Sequence, residues 1–310
     1  MIEPTVLEEL SEDLRTQVAV GRSAYSWLVE DAMERWADEV EDDQLLESTI
    51  REIATQELAR HLAEQAAWPE STDCDRLSLA MIDLTQAGIV SRENYTCCRN
   101  CGLHDIQAEV QRIPAARGYT FYHQQDAERA AQGEGIYLAF GSTGAAGTES
   151  VGQEIMTALG RRGLSVRWNG AAGQRIQVPL IWRRRRFGPL ARHPEANRPA
   201  ADLRVTYCDY SALQQHEPVP MSLQECRDLL LWLTPSTRNF TSFQNAAGAI
   251  LQFQWESDLQ LWAESPDAAA QCSRGRHVTI DEALMLVTTL VHDDRIALTD
   301  LGPLHTVSWT

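Results

Sequence analysis

The chain has 310 residues, of which 44% are hydrophobic, and its formal net charge is −17. The length predicts about two domains, and the apolar content excludes a globally disordered chain. All 27 basic residues are arginine, which excludes chemistry that needs a lysine, such as Schiff-base formation or a Walker-A phosphate loop.

The negative charge is concentrated near the N-terminus. Residues 1–70 contain 18 acidic residues against 5 arginines, whereas the rest of the chain is close to balanced. Acidic proteins repel a phosphate backbone, so we expect no nucleic-acid partner. No apolar run reaches the roughly 18–20 residues of a membrane span, and the first residues lack the basic and apolar regions of a signal peptide. We therefore expect a cytoplasmic protein with no membrane association.

Three amphipathic helices are predicted over residues 5–66. Apolar residues recur at helical spacing along each helix, and the acidic residues fall mostly on the opposite faces. Gly21 and Ser23 separate the first helix from the second, and Asp42 and Asp43 can cap the third. The acidic faces are either solvated surface or a surface for a protein partner.

A fourth helix is predicted from Thr72 or Asp73 to Gly88, with a short extended segment at Ile89 and Val90 after it. From Gly118 onwards the pattern alternates between strand and helix. We expect a small β-α-β-α-β-β sheet with helices packed on it. The predicted strands cover residues 119–123, 136–140, 164–168 and 176–182, and the helices cover 124–132 and 151–162.

The third region of the chain, residues 187–202, is rich in proline and arginine and predicts a linker. Four consecutive arginines at 183–186 precede it. We expect these arginines to pair with the protein's own carboxylates or to stay solvated, with an anion site as the alternative. The overall prediction is an α+β protein whose first domain covers residues 1–186 and whose second covers residues 203–310.

The second domain is predicted to be an antiparallel sheet with helices on one side, in the order β-α-β-β-β-α with a last edge strand over 305–309. Its two helices begin with capping boxes, Ser222 with Glu225 and Thr279 with Glu282. The first strand begins at Leu203, where apolar residues alternate with polar ones.

Three of the seven cysteines stand close together, at Cys97, Cys98 and Cys101. Without a secretion signal, reduced thiols or a metal site are favoured over disulfides. The Cys98-x-x-Cys101 pair can give two thiolate ligands to a tetrahedral zinc ion, and Cys74 with His104 completes the candidate set if the fold brings them together. His123 is the other candidate imidazole. Ordinary thiols and a redox pair are the alternatives.

His123 and Asp126 stand where a predicted strand gives way to its helix. Ligand sites in α/β sheets favour the carboxyl ends of strands, so this pair is a candidate ligand site. The simpler interpretation is that Asp126 caps the helix and is bonded to His123. Because no further side chain is placed by the sequence to complete a catalytic set, we lean away from an enzyme.

Four segments of the first part resemble a known family. They are WPESTDCDRL, GIVSRENYTCCRNCG, RGYTFYHQQDAERAAQGEGIYLAFG and GLSVRWNGAAGQRIQVPLIWRRR. In this order they are similar to a bacterial family described as domain of unknown function 6891, over about residues 10–186. The resemblance implies a cytoplasmic bacterial protein, and it brings no activity and no catalytic residues.

The second part is loosely similar to small immunity proteins of the polymorphic-toxin type, in its strand and helix order and in the ending VTIDEALMLVTTLV. Such proteins are often acidic because they cover basic nuclease toxins, and charge complementarity speeds that encounter. Our leading hypothesis is therefore a non-enzymatic factor that binds another protein, immunity-like or regulatory. The alternative is a zinc-binding protein or metal-dependent enzyme that uses the cysteines and His123.

Overall fold

A computed structural model describes residues 2–144, 147–196 and 200–309. Within these residues the chain forms nine α-helices, a four-stranded mixed sheet and a seven-stranded antiparallel sheet, which confirms the predicted α+β class. None of the helices in the described part combines the length and the apolar character that crossing a membrane requires.

The first part of the chain contains seven helices and the four-stranded sheet. The helices are α1 Pro4–Val20, α2 Tyr25–Trp36, α3 Asp43–Gln65, α4 Asp73–Gln86, α5 Arg99–Val110, α6 Gln124–Ala131 and α7 Thr148–Arg161. The strands are β1 Ile89–Arg92, β2 Gly118–Phe121, β3 Ile136–Ser142 and β4 Ile176–Val178.

Helices α1, α2 and α3 pack on one another, as their apolar spacing predicts. Leu14, Ala32 and Ile50, one from each helix, are fully buried in a shared core. The Asp42 carboxylate accepts hydrogen bonds from the backbone N–H groups of Gln44 and Leu45, so it is the N-cap of α3. The apolar faces of the three helices are buried in this core, and their acidic faces lie on the surface.

The sheet of the first part has the order β1-β2-β3-β4, in which β1 and β2 are parallel and the other pairs are antiparallel. Helix α5 is the crossover between the two parallel strands. The strands therefore end side by side, and the segments that follow them are joined. Tyr95 N–H donates to the Tyr122 carbonyl at 2.8 Å, and Gln124 N–H donates to the Thr96 carbonyl at 3.1 Å.

The predicted strand order of this sheet needs correction. Residues 164–168 are extended but form no strand, since Arg167 makes only an isolated bridge with Gln177. The Trp168 indole N–H instead donates to two carbonyls of the turn that follows, those of Ala171 and Gln174. The first strand is β1, which is buried at all four positions and so lacks the alternation that marks a half-exposed strand.

The second part contains two helices on a seven-stranded sheet. Its helices are α8 Leu223–Trp232 and α9 Ile280–His292. Its strands are β5 Leu203–Cys208, β6 Gln214–Met221, β7 Phe240–Gln244, β8 Ile250–Trp255, β9 Leu261–Asp267, β10 Cys272–Val278 and β11 His305–Ser308.

The sheet of the second part has two more strands than the sequence predicts. Its order is β11-β10-β9-β8-β7-β5-β6, with the predicted edge strand β11 at one end. Strand β6 is largely exposed and contains Pro218 and Pro220, and β10 reads CSRGRHV, so neither strand shows an apolar alternation. Proline lacks the N–H group that a strand donates to its neighbour. It is therefore found in edge strands such as β6, which has a neighbouring strand on one side only.

The two parts of the chain are packed together rather than joined by a free linker. Phe187 and Leu190, the first apolar residues of the predicted linker, are buried in the core of the second part, and residues 197–199 lie outside the described residues. Ile82 of α4 belongs to that same core, although its neighbour Met81 belongs to the core of the first part. Arg162, which follows α7, donates to both Asp83 and Asp281 at 2.7–2.9 Å.

The arginine run at 183–186 lies largely inside the protein. The Arg184 guanidinium is paired with Glu93 at 2.5 Å, and Arg185 is paired with Asp75. These two arginines therefore form ion pairs with the protein's own carboxylates, as expected. Arg186 is 1% exposed and donates to three backbone carbonyls, those of Val18, Ser23 and Leu190. We refer to residues 184–186 below as the arginine strap.

The first prediction concerns Arg186. We expect Arg186→Lys to lower the free energy of unfolding by about 3 kcal/mol, because a single ammonium cannot replace a planar guanidinium that serves three buried carbonyls. The matched control is Arg183→Lys, at a half-buried position of the same run, which we expect to change the free energy of unfolding by no more than about 0.5 kcal/mol. Urea unfolding measures both variants, and equal effects would contradict the internal role of the strap.

Asp228 of α8 is a buried carboxyl at the junction of the two parts. Its Oδ1 accepts from the Gln224 amide at 2.8 Å, and its Oδ2 has no hydrogen-bond partner among the described residues. Burial raises the pKa of Asp228 to about 7, and the nearby Asp75 carboxylate adds to the rise. The folded protein therefore holds a proton here that the unfolded chain has already released above its ordinary pKa of 3.8.

The second prediction follows from this titration. Because the raised pKa makes stability fall as the pH rises from about 4 towards 7, Asp228→Asn should stabilise the protein more at about pH 8 than at about pH 5, by about 2 kcal/mol. The control is Asp38→Asn, at an exposed position, for which we expect no pH-dependent difference. Urea unfolding at both pH values tests this, and a pH-independent effect of Asp228→Asn would show that the carboxyl is ionised throughout.

Candidate functional site

The connection between β1 and α5 carries the three clustered cysteines. Helix α5 begins at Arg99, and Cys98 is its N-cap, in extended backbone conformation. The Sγ atoms of Cys97, Cys98 and Cys101 all lie within 4.8 Å of one another. Cys97 and Cys101 are exposed and Cys98 is half-buried, so a solute can reach the cluster directly. We call these three residues the thiol cluster.

Two of these thiols, Cys98 and Cys101, do not titrate alike. Hydrogen bonds from the backbone and the side chain of Cys101 lower the pKa of Cys98. The bonds that Cys101 makes with Cys97 and Cys98 raise the pKa of Cys101 to about 11. Cys98 is therefore more readily deprotonated than Cys101, and Cys101 keeps its proton at neutral pH unless a cation takes its place.

The structure does not bring the predicted four-residue metal set together. Cys74 lies in the first turn of α4, is fully buried and accepts a hydrogen bond from the Arg183 backbone N–H at 3.3 Å. Burial raises the pKa of Cys74 to about 12, which disfavours a thiolate ligand. The His104 imidazole is 85% exposed, and its Nδ1 lies 2.9 Å from the Asp105 carboxylate. Among the described residues, the thiol cluster is joined by neither Cys74 nor His104.

His123 and Asp126 form the helix cap of the simpler interpretation. Nδ1 of His123 accepts from the Asp126 backbone N–H at 3.3 Å, and Nε2 lies 3.0 Å from the Asp126 carboxylate. That carboxylate also accepts from Arg129 and Arg175, at 2.8 and 3.0 Å. Burial raises the pKa of Asp126, but the hydrogen bonds and the two guanidinium groups outweigh burial, so its pKa lies below the ordinary value.

Cys98 of the thiol cluster and His123 line one open pocket of about 200 Å³. This is the arrangement that the metal hypothesis requires, because the cysteine segment and the end of β2 meet on the same side of the sheet. The guanidinium groups around the pocket favour a bound anion. The lining residues are Cys98, Arg99, Asn100, His123, Gln125, Arg129 and Arg175.

Sequence reasoning missed three members of this site. Cys97 was not in the predicted ligand set, although its position directly before the Cys98-x-x-Cys101 pair was a usable signal. Arg129 was one of many helical arginines. Arg175 lies 49 residues from the carboxylate that it contacts, and no local pattern connects the two.

Comparison with known proteins identifies a family and nothing beyond it. The family model described as Domain of unknown function (DUF6891) matches residues 3–186. No curated protein matches the chain, and no solved structure matches it. The matched residues contain the thiol cluster, the helix cap at His123 and most of the arginine strap's partners.

Proposed function

The chain belongs to the DUF6891 family, and we propose that this domain binds a thiophilic metal ion, zinc in the first instance, through Cys97, Cys98 and Cys101. The observation that supports the proposal is the convergence of three sulfur atoms within 4.8 Å at the N-terminus of α5. Thiolates are soft ligands and select zinc, copper(I) and similar ions over magnesium or calcium.

The separation of the sulfurs suits such an ion after small side-chain rotations. A Zn–S bond of about 2.3 Å puts two sulfurs of a tetrahedral site about 3.8 Å apart. Zinc normally takes four ligands, and in structural sites all four come from the protein. Three protein thiolates therefore leave the fourth position to water or to another ligand. The guanidinium-lined pocket beside Cys98 makes an anion the favoured fourth ligand.

The third prediction is metal content. Protein purified without a histidine tag and exchanged into dilute zinc should retain one zinc per chain, measured by plasma mass spectrometry. Cys98→Ser/Cys101→Ser should reduce zinc to background, because it removes two of three ligands. The matched control is Cys272→Ser, a cysteine of β10 outside the cluster, and His104→Ala tests whether the exposed imidazole supplies a fourth ligand. Both of these variants should keep the zinc.

The titration of the cluster gives the same proposal an independent readout. Zinc binding must displace the proton of Cys101, whose pKa is about 11, so we expect proton release on titration with zinc and weaker binding as the pH falls. Zinc retained by the double variant, or a parent protein that binds neither zinc nor copper(I), would leave the cluster as ordinary exposed thiols.

A second candidate function, protein binding, is favoured by the outer faces of α1 and α2. Their exposed carboxylates have no arginine partner among the described residues, while the apolar faces of the same helices are consumed by their own core. The partner that fits such a surface is basic. The immunity-like role stays a prediction of the sequence. The carboxylates are Glu8, Glu9, Glu12, Glu30 and Glu34.

The fourth prediction tests this surface by charge reversal. Glu30→Arg/Glu34→Arg changes two of these exposed carboxylates, one turn apart on α2, and should weaken the affinity for a partner captured from lysate at least about tenfold. Asp42 is not suitable, because it caps α3 and its loss would destabilise the helix. The control is Glu134→Arg, an exposed position after α6 that is not part of this surface. Equal affinities for all three proteins would remove the acidic surface from consideration.

A further inference from the structure

A larger cleft lies between the two parts of the chain, and its lining reaches Thr96, the residue before the thiol cluster. Its volume is about 480 Å³, within the range of small-molecule sites. One wall comes from the α1–α2 connection, α4 and the segment after β1, and the other comes from the end of α8 and the residues that follow it. The cleft therefore exists only because the two parts are docked.

The cleft stands at a position and in a conformation typical of ligand sites. It opens at the carboxyl end of the parallel pair β1 and β2, where ligands of α/β sheets bind. Two of its residues, Asn94 and Thr96, have positive φ angles of 50° and 58°. Left-handed backbone is costly for a β-branched threonine, and such residues cluster at functional sites.

The charged groups that line the cleft are already paired with one another. Arg22 contacts Glu93 at 3.0 Å, and Arg92 is bound to Glu109 by two hydrogen bonds from its Nε and one from its Nη2. The lining thus carries two guanidinium groups and two carboxylates, and the Glu93 carboxylate is shared with the buried Arg184. A phosphate or a carboxylate on a ligand would have to break one of these pairs, so the cleft favours an uncharged molecule.

The cleft also contains polar atoms that the protein does not satisfy. Arg22 Nε, Trp232 Nε1 and Asn94 Oδ1 are buried and have no hydrogen-bond partner among the described residues. The indole of Trp232 is 6% exposed, so its N–H has no access to bulk water. Two donors and one amide acceptor without partners cost free energy, and a ligand with matching groups recovers it by moving the groups that now cover these atoms.

The apolar part of the cleft lining requires a flat apolar surface on the ligand. Trp27, at 42% exposed, and Trp232 stand on different walls, and the apolar lining also includes Val20, Met81 and Leu233. Indole faces stack with planar rings, and that stacking tolerates different bases.

From these observations we propose that the cleft binds an uncharged heteroaromatic molecule of nucleoside size. Ring carbonyl or ring nitrogen acceptors would take the N–H groups of Arg22 and Trp232, and a ring amine or amide would donate to Asn94. The proposal does not depend on a metal at the thiol cluster, so the Cys98→Ser/Cys101→Ser variant should bind the same ligand with the same affinity.

The fifth prediction tests the cleft with adenosine, guanosine, cytidine and uridine, each beside its 5′-monophosphate, by calorimetry and thermal shift. We expect at least one nucleoside to bind below about 1 mM and to bind more tightly than its monophosphate. Trp27→Ala should weaken that binding about tenfold or more through lost stacking. Trp232→Phe keeps the ring and removes the N–H, and should weaken binding about fivefold.

The matched control is Trp309→Ala, a tryptophan beyond β11 that is 50% exposed and takes no part in the cleft. It should bind as the parent does. The proposal is overturned if no nucleoside binds, if the monophosphates bind more tightly than the nucleosides, or if Trp309→Ala loses as much affinity as Trp27→Ala.

Discussion

The arginine strap is the constraint on which the rest of the structure depends. Its side chains and backbone reach Val18 of α1, Ser23 after it, His61 and Gln65 of α3, Asp75 and Ser78 of α4, and Glu93 after β1. Burying guanidinium groups costs several kcal/mol each unless their donors find acceptors, and nearly all of the strap's donors do, Arg184 Nε being without one among the described residues. The helices, the sheet and the segment that enters the second part must therefore be in place together, because each supplies acceptors that the strap requires.

The sequence predicts those elements of the fold whose signals, such as apolar spacing and helix caps, lie within a few neighbouring residues. Helices α1 to α4 follow from apolar spacing and from caps such as Asp42 and Thr72, all of which act within a few residues. Strands β6 and β10 were not predicted, since both are polar, and the wholly buried β1 was predicted only as a short extended segment at Ile89 and Val90. Helix α5 was also missed, because only Gly102, Ile106 and Val110 along it are buried.

The functional sites divide in the same way. The Cys98-x-x-Cys101 pair and the helix that starts beside His123 can both be recognised from the sequence alone. The turn into α5 brings Cys97, Cys98 and Cys101 together. Cys74 is not part of this cluster, because its side chain lies in the core beside Arg183. The cleft could not be predicted at all, because its walls are separated by more than a hundred residues and face each other only after both parts have folded and docked.

Helix α4 has a consequence for the way the molecule unfolds. Met81 on one face is buried among residues of the first part, and Ile82 on another is buried among residues of the second. Opening either part would expose apolar surface of the other, so the free-energy cost of local opening is shared between them. The chain should then lose its structure in a single cooperative transition, although its length and its two sheets are those of a two-domain protein.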